Sequence, residues 1–292
     1  MTRTRATLIG FTAILMWAQL ALFTVLSAPV PPFQLNAVCF AISGGLGLIW
    51  AASTGRLGLL RGVPWRAYAY GTAGLFGAHA LYFTVFRLAE PAGAAAQAGL
   101  IAYLWPMLIV LLSGLLPGER LRPTHLAGAT IAFAGAALIV LRSGGVMGSG
   151  AAPALALAFV FALTWAAYSV NARRFAKVPT VSVAVICVAA AVLSVPMHLA
   201  FETTAWPISA TGWLAVAGLG LGPVGLAFFT WDIGMKQGDI QLLGVASYAA
   251  PLLSTLALVA TGIAEGSAVL AVAAALITGG ALLAARPAKP RR

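Results

Sequence analysis

The chain has 292 residues, of which 61% are apolar and 8% charged, with a formal net charge of +11. An ordinary soluble domain carries about 25% charged residues, so the composition excludes a water-facing globular surface. The basic excess is not a nucleic-acid footprint either, because the cations sit in short connections between long uncharged stretches, the pattern of membrane topology.

No charge lies between Arg5 and Arg56, between Glu90 and Glu119, or between Glu202 and Asp232. A helix needs about 20 apolar residues to cross about 30 Å of hydrocarbon, and these gaps supply them. A membrane β-barrel would need strands of alternating polarity, which the Ala, Leu and Gly runs lack. The start, MTRTRATLIGFTAIL, has the basic residues of a signal peptide. Its apolar run is about 20 residues long and further spans follow, so it reads as a retained first helix.

The pattern predicts an all-α polytopic membrane protein of ten transmembrane helices. The first runs near 7–26, with Ala13, Trp17, Leu20 and Thr24 on one face. The second, 33–52, holds Cys39. The third, 67–86, carries His79 with Tyr82 and Phe86 at i+3 and i+7 as a stripe. An ionisable group near midspan is a functional-site candidate, although a neutral histidine also serves as a structural hydrogen-bonding group. The fourth, 91–114, offers Gln97, Tyr103 and Pro106. Gln97 has donors and acceptors for an amino-acid head group but lies roughly 120° around the helix from Tyr103. The fifth runs near 124–141.

The sixth helix, 152–171, presents Phe161, Trp165 and Tyr168 on one face, and the seventh, 180–200, holds Cys187. The eighth, 210–231, has a glycine-rich stretch from Gly218 to Gly225 that permits close contact and irregularity. The ninth, 239–261, carries Tyr248 and Pro251, and the tenth runs near 267–285. Pro106 and Pro251 each remove an intrahelical hydrogen bond and should kink their helices. They are candidate hinges, though packing also explains prolines in membrane helices. Cys39 and Cys187 read as small buried apolar residues rather than a disulfide or metal pair. Asp232 and Asp239 read as flanks of one turn, Arg87 and Glu90 as flanks of another.

With a cytoplasmic N-terminus, the alternate connections on that side carry fifteen Lys and Arg residues, from Arg3 through Arg56, Arg120 and Arg174 to Lys289, Arg291 and Arg292. The other side keeps two, Arg87 and Arg142. The positive-inside rule therefore places both termini in the cytoplasm of an inner-membrane protein.

The halves also match each other. Trp17 pairs with Trp165 and Cys39 with Cys187 at a separation of 148. Tyr103 pairs with Tyr248, Pro106 with Pro251 and Gly135 with Gly280 at 145. The expected units are 1–142 and 152–286. Each holds five spans, an odd number, so the second enters the membrane inverted. Inverted repeats offer two related packings of one half on the other, the basis of alternating access, with a substrate site near the midplane.

After the fourth helix the sequence reads LLPGERLRPTHLAGATIAFAGAALIVL, with Gly118-Glu119-Arg120 followed by Pro123, Gly128 and Gly135. This resembles the loop and following helix of the EamA-type repeat, two copies of which build ten-helix members of the drug/metabolite transporter superfamily. In the second half Ala264-Glu265-Gly266 replaces the Gly-Glu-Arg, and no proline follows. Within the superfamily the chain is most similar to the YddG-type branch, exporters of aromatic amino acids. The resemblance implies a ten-helix basket whose central cavity is lined mainly by helices 1, 3, 4, 6, 8 and 9.

Trp and Tyr usually collect at membrane interfaces, whereas Trp17, Trp165, Tyr103 and Tyr248 fall near midspan. Each polar tip needs a partner there, which a neighbouring backbone can supply. As a set they suggest a wall that stacks on a flat apolar substrate. The candidate substrate contacts are Trp17, His79, Tyr82, Gln97, Tyr103, Trp165, Tyr168 and Tyr248. The expected partners are aromatic amino acids and the bilayer, with no nucleic acid; no cofactor, metal or catalytic residue is expected. A monomer is compatible with this reading.

An intramembrane enzyme would need acidic clusters for Mg²⁺ or a His-Glu-x-x-His pair. The six carboxylates are scattered, and His79, His125 and His198 lie in different helices. A channel would show rings of like residues or a polar stripe. A broader metabolite or drug exporter is the rival among carriers. With no Asp or Glu near midspan, coupling to an ion gradient is expected to be weak or absent; were protons involved, His79 would be their site, its ordinary pKa being about 6.5.

Overall fold

The computed structural model describes residues 1–141, 150–262 and 267–286. Arg142, Lys289, Arg291, Arg292 and the Ala264-Glu265-Gly266 segment lie outside the described residues. Helices follow one another wherever long apolar runs leave the backbone no partner but itself. The first span is α1 (Arg3–Trp17) and α2 (Leu20–Leu26); the second is α3 (Pro32–Ser53), followed by the short α4 (Gly58–Arg61). The third is α5 (Trp65–Ala89), the fourth α6 (Ala95–Ala102) and α7 (Trp105–Ser113), and the fifth α8 (Pro123–Leu141). The sixth is α9 (Ala152–Asn171), extended by a 3₁₀ turn over Ala172–Phe175, and the seventh α10 (Ser182–Phe201). The eighth is α11 (Ala210–Leu221) and α12 (Ala227–Gln237), joined by a π-helical turn, Gly222–Leu226. The ninth is α13 (Ile240–Ala246) and α14 (Ala249–Ala260), the tenth α15 (Ala268–Ala284).

The chain is thus an all-α, polytopic membrane protein. The 22 residues of α3 measure about 33 Å, close to the thickness of the hydrocarbon. Side chains such as Leu8, Ile49, Leu115, Leu199 and Leu282 stay exposed on the outside of the bundle, as lipid-facing residues should. Local signals set the ends. The Thr2 and Ser209 hydroxyls and the Asp239 carboxylate accept from backbone N–H groups at the starts of α1, α11 and α13.

The fourth and ninth spans break at matching places, before Pro106 and before Pro251. Proline lacks the N–H and its ring crowds the carbonyl four residues back. The helix therefore stops at Ala102 and Ala246 and restarts at Trp105 and Ala249.

The spans pack chiefly in antiparallel pairs: α8 with α15, α3 with α10, α1 with α12, and α5 with α9, while α7 lies against α9 and α13. Glycines allow the closest crossings. A Cβ added at Gly128 would stand 2.5 Å from the Gly280 carbonyl oxygen, and one at Gly280 the same distance from that of Gly128. Gly10 and Gly234 meet likewise, a Cβ on Gly10 falling 2.8 Å from the Gly234 Cα. Small residues at such crossings let backbones approach where lipid gives helices no hydrophobic reason to associate. Cys39 and Cys187 are both free and buried between α3 and α10, as small apolar residues would be.

The start of the first span and the end of the tenth lie at one end, where Arg3 bonds Glu119 and Arg122 donates to the Arg286 carbonyl. Of the described cations only Arg87 is at the other end, where it donates to the Phe201 carbonyl.

Candidate functional site

Four tryptophans from four spans meet at the centre of the bundle. Trp17 ends α1, and its ring lies 4.9 Å from that of Trp231 on α12, 5.9 Å from Trp165 on α9 and 6.2 Å from Trp105 on α7. Trp105 is in turn 6.3 Å from Trp165 at 90° and 6.1 Å from Trp231 at 84°. These edge-to-face arrangements set the positive ring edge against the negative ring face. Phe228 closes the group, 6.2 Å from Trp17 and 6.0 Å from Trp165. The Trp17 indole N–H donates to the Pro223 carbonyl at 3.1 Å, on the π turn, where the wider spacing leaves carbonyls free of the usual ladder. The Trp231 N–H donates to the Ser169 hydroxyl at 3.1 Å. Trp105, Trp165 and Trp231 are buried and Trp17 is half-buried.

His79 adjoins this group. Its ring stands edge-on to Phe40 at 5.0 Å and to Phe228 at 5.6 Å. Nδ1 lies 2.7 Å from the Leu75 carbonyl oxygen, so Nδ1 carries the hydrogen and Nε2 of the neutral ring is left as an acceptor. Tyr168 is buried beside Trp165 at 5.3 Å and stacks on Tyr70 at 6.1 Å. Tyr82 packs on Phe86 and on Phe161 of α9, yet remains 39% exposed. Tyr103 sits half-buried in the break of the fourth span, and Gln97 is half-buried on α6.

Tyr248 is placed differently. It is fully buried against Phe133 of α8, ring centroids 5.9 Å apart, and its hydroxyl accepts the Met107 N–H at 3.2 Å. The structure does not bring it to the tryptophan group: the broken fourth span leaves an amide needing a partner, and Tyr248 supplies it. Trp105, Trp231, Phe228 and Phe40 are members of the group that the sequence reading missed. Trp105 follows Tyr103 by two positions and was within reach of that reading. Trp231 read as a helix end because Asp232 follows it.

The end where the first span begins is tied together by charge. Glu119, in the turn between α7 and α8, bonds Arg3 at 3.2 Å, Arg173 at 3.2 Å and the Gln241 amide at 3.3 Å. Arg3 also reaches Asp239 at 3.4 Å, and Arg173 donates to the carbonyls of Met235 and Gly238. Asp232 is no ordinary terminus either. It is buried in α12, bonded to Lys236 at 2.8 Å and to the Thr180 hydroxyl at 2.7 Å, while Lys236 also donates to the Val178 carbonyl. The sequence reading missed this because a lysine one turn later lets a carboxylate leave water as a pair. At the opposite end the bonds join other spans. Glu202 accepts from the N–H groups of Phe33 and Gln34, and Asn36 donates to Ser194, linking the second and seventh spans.

Two cavities are lined by none of the four tryptophans. One of about 260 Å³ runs between α1, α13 and α15, and one of about 500 Å³ lies at the charged end. No group of three or more His, Cys, Asp or Glu side chains able to hold a metal occurs among the described residues.

The model of the EamA-like transporter family matches residues 4–141. A protein of Ancylobacter novellus named aromatic amino acid exporter YddG is 52% identical over 287 residues, covering 97% of this chain and 98% of that one. Proteins of the same name from Salmonella typhimurium and Escherichia coli are each 27% identical, over 87% of this chain and 88% of theirs. A solved crystal structure, 51% identical and covering 97% of this chain and 98% of its own, superposes with a TM-score of 0.91.

Proposed function

We propose, for a chain that belongs to the EamA-like transporter family of the drug/metabolite transporter superfamily, that it exports aromatic amino acids and similar small neutral metabolites across the inner membrane. The observation that carries this reading is the meeting of Trp17, Trp105, Trp165 and Trp231 at the centre of the bundle. A flat apolar ring finds edges and faces to pack on there. The Nε2 of His79, the hydroxyls of Tyr82 and Tyr103 and the amide of Gln97 serve the amino-acid head group, and Tyr168 backs the wall. Three relatives carry the name of aromatic amino acid exporter, which supports the substrate class.

The units 1–142 and 152–286 act as inverted repeats that rock against each other, Pro106 and Pro251 marking the hinges. Two observations support this. Exchanging the first five spans for the last five maps the pairs α8 with α15 and α3 with α10 onto themselves, and swaps α1 with α12 for α9 with α5. The contact of Gly128 with Gly280 likewise becomes that of Ala273 with Gly135, where a Cβ on Gly135 would lie 2.9 Å from the Ala273 carbonyl oxygen. The basic end is the cytoplasmic one, so the Glu119 ties hold the cytoplasmic side.

Proteoliposomes loaded with labelled phenylalanine test the reading. Efflux down the substrate gradient, without any ion gradient, should be inhibited by tyrosine and tryptophan and hardly by alanine or cationic drugs. Equal inhibition by aliphatic and cationic solutes would remove the aromatic assignment. Strict dependence on an imposed proton or sodium gradient would remove the uncoupled mechanism. Reporters fused after Arg56 and Arg174 should be cytoplasmic and one near Glu202 external; a cytoplasmic signal at Glu202 would break the topology.

A further inference from the structure

The cavity of about 500 Å³ at the charged end is lined by none of the residues grouped around the tryptophans. It lies between residues 62–64, which lead into α5, and residues 173–179, which join α9 to α10. Its walls bear Arg173, Arg174 and Lys177 and no carboxylate. Arg173 is committed to Glu119 and to the carbonyls of Met235 and Gly238. Arg174 and Lys177 are exposed, and neither pairs with a carboxylate among the described residues.

The rim beside these cations is apolar. Trp65, next to Pro64 of the wall, is 72% exposed, and Leu57 and Leu59 at α4 are 45% and 51% exposed. A bare tryptophan at the first residue of a membrane helix sits at head-group depth. Two free cations at that depth, flanked by bare apolar side chains, match a ligand that is anionic at one end and hydrocarbon at the other. Basic pockets between helices on the cytoplasmic side are suited to such head groups.

We propose that this cavity binds the phosphate of an anionic phospholipid of the cytoplasmic leaflet. Arg174 and Lys177 meet the phosphate, and the acyl chains lie along Leu57, Leu59 and Trp65. The leaflet follows from the orientation argued above, whereas the site does not depend on the transported substrate. Free phosphate would use the same two cations but gain nothing from the apolar rim.

Native mass spectrometry of the full chain, incubated with equal amounts of phosphatidylglycerol and phosphatidylcholine, tests it without any transport assay. The protein should retain phosphatidylglycerol preferentially. Arg174→Gln with Lys177→Gln should weaken that preference roughly ten-fold, each surface cation contributing a factor of about five before screening. Arg5→Gln with Arg120→Gln removes equal charge from exposed sites at the same end outside the cavity and should leave the preference intact. Millimolar inorganic phosphate should not displace the lipid. The proposal is overturned if the cavity variant retains phosphatidylglycerol as the wild type does, if both variants lose it equally, or if phosphate alone displaces it.

Discussion

Trp17 touches Trp105, Trp165, Phe228 and Trp231 while its N–H holds the Pro223 carbonyl. Each aromatic pair is worth about 0.5–1.5 kcal/mol beyond burial. Trp17→Ala and Trp165→Ala should therefore each cut phenylalanine efflux about ten-fold or more, with membrane insertion unchanged because insertion depends on total apolar length. Trp17→Phe keeps a ring but not the hydrogen bond and should fall between. Efflux at wild-type rates in the alanine variants would show the group to be packing alone. The buried pair of Asp232 and Lys236 makes a second prediction at this scale. Lys236→Met leaves the carboxylate uncompensated and should cost about 3–5 kcal/mol of stability. Asp232→Asn with Lys236→Met should restore much of it, as read by thermal unfolding in detergent. A single variant as stable as the double one would show that the pair is not a unit.

Among the elements, the tenth helix depends on its crossing with the fifth. A side chain at Gly128 would strike the Gly280 carbonyl, which is backbone and cannot turn aside. Gly128→Leu should destabilise the protein by about 1–3 kcal/mol or more through overpacking, whereas Gly279→Leu, whose Cβ would meet nothing within 4 Å, should be nearly neutral. Equal unfolding temperatures for the two variants would contradict the crossing. The prolines illustrate what a sequence shows of an element. Pro106 and Pro251 announced the breaks in the fourth and ninth spans because the clash and the missing donor are properties of the residue itself. The π turn at Gly222–Leu226 was legible only as a glycine-rich stretch. The break after Trp17 carries no proline or glycine, and its cause is tertiary, since the ring is anchored on another span.

For the whole molecule, the Glu119 ties join the first span, the fourth-to-fifth turn, the end of the sixth span and the start of the ninth. Exposed ion pairs are worth little singly, but the Glu119 side chain is only 9% exposed and meets two guanidinium groups. Glu119→Gln should shift the population toward an arrangement open at the end where these ties lie. With Cys39 and Cys187 replaced by serine, a cysteine placed at Ser169 should then be labelled from that side about five-fold faster, the change that about 1 kcal/mol of coupling produces. Unchanged labelling would show that the ties do not hold the end closed.

The sequence by itself determined the number of spans, their alternation and the positions of the proline breaks. The length of an apolar run, the sign of a loop and the geometry of proline act locally, against a bilayer of fixed thickness. It also singled out Trp17, Trp165, His79 and Tyr168, which the fold brings together. Only the tertiary structure decided that Trp105, Trp231, Phe228 and Phe40 join them, that Tyr248 serves a backbone amide while its counterpart Tyr103 does not, and that Asp232 leaves water with Lys236. Helical periodicity fixes which residues share a face, but not how that face is turned toward its neighbours. In lipid that rotation is set by small-residue crossings such as Gly128 with Gly280 and by bonds such as that of Trp17 to Pro223, because lipid tails are as apolar as the side chains and favour no one face.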